Sequence, residues 1–182
     1  MILYTDRLQL EPIGLPLVEA VLRGDRRAAE EAARASFPAQ WPGPDLVQRA
    51  FPAQLEAIRA DPATRLWGDR LMIPRQGPRR VIGSVVFHGK PGAEGVAEVG
   101  YGVERELQHQ GLATEALRAC LEWALAQPGV RAVRATTFAL HRASLRVLEK
   151  VGMQLVDRLE HELLGELLIL ELRADAVARR SC

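Results

Sequence analysis

Val103-Glu104-Arg105-Glu106-Leu107-Gln108-His109-Gln110-Gly111-Leu112-Ala113-Thr114-Glu115-Ala116 is the stretch whose reading decides the fold. A strand, Val96 to Val103, runs into a loop, and the loop opens a helix at a glycine. The helix is predicted over Leu112 to Ala126, because Ala113, Ala116, Leu117, Cys120, Leu121 and Ala124 follow a period of about 3.6 residues. Gln127-Pro128-Gly129 ends it. The first turn of any helix offers main-chain N–H groups without internal partners and the positive end of the helix dipole. With small residues at Gly111 and Ala113, an anion can approach that main chain closely, as phosphates do at such termini. No Gly-Lys-Ser/Thr follows, so this is not a Walker loop, and Gly100-Tyr101-Gly102 has Arg105 where a Rossmann fingerprint needs its third glycine. The plainer reading is that Gly111 only turns the chain into its helix.

Working outward, Leu8-Gln9-Leu10-Glu11-Pro12 alternates as a short strand, and Leu15 to Ala35 reads as a helix pair broken at Gly24-Asp25. Phe37 to Pro44 is a Pro- and Gly-rich loop carrying Phe37 and Trp41, followed by a helix from about Asp45, its N-cap, to Ala60. Strands are expected at Leu66–Ile73 and Arg80–Phe87, joined by the turn Arg75-Gln76-Gly77-Pro78, and then at Val96–Val103. After the central helix come a strand over Val130–Phe138 and a helix over His141–Val151 with Gly152 as its C′ residue. Closing strands near Met153–His161 and Leu167–Arg173 can pair around Gly165-Glu166. This order predicts an α/β fold with a mostly antiparallel sheet and one parallel step, Val96–Val103 beside Val130–Phe138, bridged by a helix.

A length of 182 residues is about one domain. A hydrophobic fraction of 48% and a charged fraction of 26% fit a globular chain and argue against disorder. Net charge is +1, and Arg79-Arg80 and Arg179-Arg180 are isolated pairs rather than a stripe, so a nucleic-acid partner is not expected. Cys120, on the apolar helix face, and the terminal Cys182 make neither a disulfide framework nor a metal site; no metal is expected. Met1 to Asp6 lacks the basic start and apolar run of a secretion signal, and no apolar stretch approaches the ~18 residues of a membrane span. A cytoplasmic protein without a membrane partner is the expectation.

Gln108-x-x-Gly111-x-Ala113 resembles the Q/R-x-x-G-x-G/A signature of the GNAT acetyltransferases. The resemblance extends through Glu98-Val99-Gly100-Tyr101 and Val103 before the signature. It continues in His141-Arg142-Ala143-Ser144 through Lys150-Val151-Gly152-Met153, which is similar to the family's N-x-x-S-x-x-x-x-x-K-x-G-F. Thr5-Asp6-Arg7-Leu8-Gln9-Leu10 resembles the opening strand of the ribosomal-protein (Rim-type) branch. The resemblance implies one GNAT domain over residues 1–182, a six- to seven-stranded mixed sheet flanked by helices, and a splayed parallel strand pair holding CoA. It implies acetyl-CoA as cosubstrate, its pyrophosphate on the main chain of Gln110, Gly111, Leu112, Ala113 and Thr114, its pantetheine near Val103 and Phe138, and contacts from Gln108 and His141. Gly100 or Gly102 is expected to supply a bulge that opens the gap. A homodimer is implied for the Rim-type branch.

Glu98 alternates away from Val99, Tyr101 and Val103, and reads either as a surface carboxylate or, through the family, as general base. The need for a base depends on the acceptor: at pH 7 an α-amine of pKa ~7.8 is roughly 14% neutral, a lysine of ~10.4 only about 0.04%. Ser144 is either a capping or solvent-facing serine or, as the Rim-type branch implies, the donor to the leaving thiolate. Leu148 stands where other family members carry a tyrosine acid. His141 departs from the family's asparagine and is either a polar residue at a helix start or a partial replacement for that amide. Met153, in place of phenylalanine, reads as core, and Phe37 and Trp41 as loop packing or as the acceptor pocket. The acceptor is a primary amine, on a protein N-terminus or on a small molecule such as a polyamine, amino acid or antibiotic; a non-catalytic acyl-CoA sensor is the reading from another class.

Overall fold

The elements follow in chain order as β1 (Leu3–Tyr4), β2 (Leu8–Pro12), α1 (Leu15–Leu22), α2 (Arg26–Ala33), α3 (Phe51–Ala60), β3 (Asp69–Pro74), β4 (Gly83–Phe87) and β5 (Val96–Val103). They continue with α4 (Leu112–Leu125), β6 (Ala132–Phe138), α5 (Arg142–Lys150), β7 (Gln154–His161), β8 (Gly165–Arg173) and α6 (Ala174–Ala178). The structure is a computed structural model describing residues 1–41, 47–48, 51–161 and 165–178. The sheet has eight strands in the order β1-β2-β3-β4-β5-β6-β8-β7. Every neighbouring pair is antiparallel except β5 and β6, which are parallel. Parallel neighbours need a crossover, and α4 provides it. The strand count exceeds six or seven because the residues before Leu8 add the two-residue β1, paired to β2 through Leu3↔Leu10 and Tyr4↔Gln9.

Strand alternation sends apolar residues to both faces, and each face is covered by helices. On one face α4 buries Ala116, Leu117, Cys120, Leu121 and Trp123 against Leu8, Leu10, Met72, Val85, Phe87 and Val99. On the other, α1 and α2 pack Leu17, Val18, Val21 and Ala29 against Leu71, Ile73 and Val81. Phe37 and Trp41 stack with ring centroids 3.7 Å apart, and Phe37 is buried in this second core beside Phe51. The two rings thus pack on each other at the edge of this core. Arg70, fully buried, lies 4.2 Å above the Trp123 ring and donates to the carbonyls of Met1 and Leu66, which ties the first residues to the sheet.

Several boundaries shift for local reasons. The strand expected from Leu66 begins at Asp69, because the Asp61 carboxylate accepts from Ala63 N–H (2.9 Å) and caps a 3-10 helix over Pro62–Trp67. The strand expected from Arg80 begins at Gly83, because Arg80 is engaged instead in a parallel bridge with Ser36. The helix expected from Asp45 is described as α3 from Phe51; Asp45 lies outside the described residues, as does Cys182. Gly83 has a steric reason to be glycine: a Cβ there would lie 2.2 Å from the Gly102 carbonyl oxygen, so β4 and β5 pair closely only without it.

Candidate active site

β5 and β6 are joined only through Val96↔Ala132, Ala97↔Val133 and Glu98↔Arg134. Beyond these pairs β5 follows β4 to Val103 and β6 follows β8 to Phe138, so the parallel strands part. The main-chain groups of Val99 to Val103 that face β6 lack a ladder partner, and a buried polar chain can use them. The expected bulge is absent: the β4–β5 register runs unbroken from Gly83↔Val103 to Phe87↔Val99. The gap arises because each strand keeps its antiparallel neighbour. Gly100 and Gly102 act instead by keeping a face bare, since a Cβ at Gly102 would meet nothing within 4 Å and one at Gly100 only the His88 ring.

At the far end of β5 the chain turns into α4. His109 (φ 62°) and Gly111 (φ 79°) are both left-handed, and Gly111 is the N-cap of α4. The first helical bond runs from Glu115 N–H to the Gly111 carbonyl at 3.0 Å, so the N–H groups of Leu112, Ala113 and Thr114 precede the helical ladder. Leu112 anchors this turn by burying its side chain, while Ala113 and Thr114 stay partly exposed. Gln108 Nε2 donates to the Val103 carbonyl (3.2 Å), tying the loop back onto β5. Gln110 offers its carbonyl to Arg7 Nη1 (3.0 Å).

Arg7 is the residue that sequence reasoning missed here. Its guanidinium pairs with Glu115 at 2.6 Å, its main-chain N–H also donates to that carboxylate, and it lies beside Gly111. Burial disfavours the Glu115 charge, but hydrogen bonds from Thr5 and Arg7, and the charge of Arg7, outweigh it and hold the carboxyl below its usual range. An acidic side chain in the first turn would repel an anion at the helix start; Arg7 balances it. Arg7 and Glu115 are 108 positions apart in the chain, so no local pattern could have joined them.

On the α4 and α5 side of β5, Tyr101 reaches across to α5. Its hydroxyl donates to the Ser144 carbonyl (3.0 Å) and lies 2.9 Å from Ser144 Oγ. A phenol has one proton, so when it goes to the carbonyl the serine O–H donates to the phenol oxygen. Burial pushes the Tyr101 phenol up, with the Ser144 bond pulling the other way, so it stays protonated at neutral pH. Ser144 is thus engaged with β5 and does not cap its helix; His141 holds the N-cap position, exposed and without a side-chain capping bond. Tyr101 was legible only as a tyrosine on the buried side of its strand.

Glu98 is exposed and lies on the opposite face, in register with Arg134. Arg134 donates from Nε (2.9 Å) and Nη2 (2.7 Å) to the buried Glu171; that bond above all, with Glu98 and Glu94 adding charge, holds the guanidinium above its ordinary value. β5 therefore separates the two candidate catalytic residues: Glu98 faces the α1–α3 side, Ser144 the α4–α5 side. The gap between β5 and β6 opens just beyond Glu98, at the strand that lies between them. Against β5 on the Glu98 side lies a cavity of about 530 Å³, walled by Gln54 and Ala57 of α3, Trp67, His88, Gly100 and Tyr101. The Cys120 thiol, fully buried, is pushed up to about 12 by burial and is no nucleophile. Among the described residues no group of three or more His, Cys, Asp or Glu side chains gathers as a metal site, and no helix is long and apolar enough to cross a membrane.

Residues 7–154 match the family model described as the acetyltransferase (GNAT) domain. The chain is 27% identical over 152 residues to the uncharacterised N-acetyltransferase YjdG of Bacillus subtilis (strain 168), covering 84% of this chain and 89% of that protein. Its fold is similar to that of the ribosomal-protein-S5-alanine acetyltransferase of Vibrio fischeri (TM-score 0.67, 13% identity, 96% of this chain and 97% of that one). It is also similar to RimL, a ribosomal L7/L12 alpha-N-protein acetyltransferase in complex with coenzyme A (TM-score 0.65, 14% identity, 97% and 99%).

Proposed function

The chain belongs to the GNAT acetyltransferase family, which makes it an N-acetyltransferase, and we propose that it moves the acetyl group of acetyl-CoA onto a primary amine, first among them a protein N-terminal α-amine. The observation that carries this reading is the parting of β5 from β6 after Glu98↔Arg134, with the start of α4 at its end. The main-chain N–H groups of Leu112, Ala113 and Thr114, beside Gln110 and Gly111, receive the pyrophosphate. The unpaired edge of β5 as far as Val103 receives the pantetheine, with Gln108 holding the loop and His141 at the mouth of α5. A main-chain N–H of β5 at the thioester carbonyl stabilises the charge that develops there in the transition state more than in the ground state.

The amine attacks from the Glu98 side, where Glu98 acts as base, directly or through water. The thiolate leaves on the side of Ser144, whose hydroxyl turns from Tyr101 to donate to it while the phenol keeps its bond to the Ser144 carbonyl. A CoA thiol resembles cysteine, with a pKa of about 8.5, and leaves tolerably without full protonation. The cavity against Gly100 favours a second acceptor reading, a small amine, because about 530 Å³ matches a small-molecule site. One domain over residues 1–182, a homodimer and a cytoplasmic setting complete the proposal.

The test is an acetylation screen in which release of CoA is followed with N-terminal peptides and small amines side by side; no release with any amine overturns the proposal. The pH dependence then separates the acceptors. With an α-amine the rate levels off near its own pKa of about 8, and Glu98→Gln lowers the rate but leaves that plateau. With a lysine-like amine, Glu98→Gln is severe near neutrality and is partly rescued at high pH.

A further inference from the structure

We propose that His88, the residue directly after β4, is the group through which Glu98 acts as base, its ring taking the proton from the acceptor amine, an assignment that rests on the amine-acetylation reading above. β4 and β5 put it there. His88 N–H donates to the Glu98 carbonyl (3.0 Å), one step beyond Phe87↔Val99 in the ladder, so His88 and Glu98 are cross-strand neighbours on the same face. Side chains so placed have Cβ atoms ~4.5–5.5 Å apart. The His88 ring leans along the sheet over Gly100: its Nε2 would lie 3.5 Å from a Cβ at that position. Gly100 is in the part of β5 that has left β6, so the imidazole nitrogen overlies the strand where the gap begins. It also borders the cavity whose opposite wall is α3.

A buried carboxylate acts electrostatically on that ring. Asp69 of β3 is buried, 3% exposed, and its carboxylate accepts from Gln54 Nε2 at 2.7 Å. The His88 charge acts on this carboxylate, against the burial that raises its pKa. With Gln54 Nε2 committed to Asp69, Gln54 Oε1 is buried in the wall of the same cavity with no hydrogen-bond partner among the described residues. A cavity that presents a free acceptor beside an imidazole suits a ligand that brings N–H donors and releases a proton. Of the other charged groups nearby, Glu98 faces the ring across the ladder, Arg65 lines the cavity, and Lys90, in the turn after His88, is paired with Asp61. Imidazole changes charge between about pH 5 and 8, which suits the deprotonation of an amine better than a carboxylate does. In the step, the amine nitrogen bonds to the thioester carbon and its surplus proton passes to His88 Nε2. The C–S bond breaks, the thiolate takes a proton on the Ser144 side, and His88 returns its own to water. Glu98 positions and charge-balances the imidazolium, so that its part as base runs through His88.

The experiment measures kcat/KM against pH for wild type, His88→Gln, His88→Ala and Glu98→Gln, with acetyl-CoA and the tripeptide Ala-Ala-Ala or spermidine as amine. With the tripeptide, His88→Gln is expected to lose on the order of 10²-fold and to leave the amine's own ionisation alone on the low-pH limb, while Glu98→Gln loses no more than ~10-fold. Added imidazole should restore part of the His88→Ala rate, which a merely structural histidine would not allow. The melting-temperature rise with acetyl-CoA should match wild type in all three variants. If wild type turns over and His88→Gln keeps its rate, the assignment falls and the amine-acetylation reading stands. If wild type releases no CoA with either amine, the inference falls together with that reading.

Discussion

Replacing Gly111 separates a backbone effect from a ligand effect at one position. Gly111 sits at φ 79° and ψ 0° at the N-cap of α4. An L side chain in that left-handed region costs roughly 1–2 kcal/mol. Space adds no further term, because a Cβ there meets only Arg7 Nη2, at an ordinary 3.5 Å. Gly111→Ala is therefore expected to lose ~1–2 kcal/mol, which for a domain of this size lowers Tm by about 2–8 °C. Gly111→Asn should lose less, since asparagine tolerates the left-handed region. Acetyl-CoA at about 100 times its Kd stabilises the wild-type fold by ~2.7 kcal/mol. For this size that is a rise in Tm of roughly 5–11 °C. Gly111→Glu should suffer the same backbone loss as alanine and also lose the acetyl-CoA rise, because its carboxylate meets the phosphates at the helix start. Scanning calorimetry with and without acetyl-CoA, at one protein concentration, reads both effects. A folded Gly111→Glu variant that keeps the full rise would refute the pyrophosphate assignment, whatever its stability without ligand.

Gly83→Ala should destabilise by about 1–3 kcal/mol in urea unfolding, since its Cβ would sit 2.2 Å from the Gly102 carbonyl oxygen and force β4 from β5; an unchanged midpoint would contradict the close pairing. Ser144→Ala should lower kcat nearer ~10-fold than 10⁴-fold with little change in acetyl-CoA affinity, because the thiol is only moderately basic. Tyr101→Phe, which leaves the serine hydroxyl in place, should lose less, and wild-type turnover by Ser144→Ala would end the donor role. Glu115→Gln tests the Arg7 contact through pH. The carboxyl is held below its usual range, so its stabilisation is present above the unfolded value and lost as pH falls through the folded one. The Tm gap between wild type and Glu115→Gln should be full at pH 7 and close below about pH 4; a gap independent of pH would mean that the charge is not what matters.

The elements that short-range pattern controls were legible in the sequence. Leu112–Leu125 and Arg142–Lys150 follow apolar periodicity and have glycines near their ends, and both were predicted to within a residue or two. The parallel step followed from a strand, a helix and a strand in that order. What was not legible depends on contacts between distant segments. The 3-10 helix over Pro62–Trp67 competes with strand pairing through a single aspartate cap, and β1 exists only because β2 and Arg70 hold the first residues. At the candidate site, Glu98, Val103 and the 108–114 loop were singled out through a motif. Tyr101 against Ser144, Arg7 against Glu115 and His88 over Gly100 were not, because each joins residues from different elements. The bulge was expected at Gly100 or Gly102 because glycine so often marks one. In this chain those glycines serve clearance.

Clearance explains how one strand can serve several purposes. Alternation along β5 puts Val99 into the α4 core and Tyr101 toward Ser144, and leaves Glu98, Gly100 and Gly102 on the other face. The buried residues hold the strand to the sheet after its parallel partner has gone, so the gap can stay open without β5 fraying. The bare positions let a neighbouring strand and a cavity approach the main chain: β4 through Gly83 beside Gly102, and the His88 ring over Gly100. A side chain longer than alanine at Gly100 would occupy the space under the His88 ring, and a shift of register by one residue would exchange the two faces and send Tyr101 away from Ser144. The separation of Glu98 from Ser144 is thus a consequence of strand geometry. Under the roles proposed for them, the acceptor amine and the departing thiol stand on opposite sides of β5, with the thioester between them in the gap.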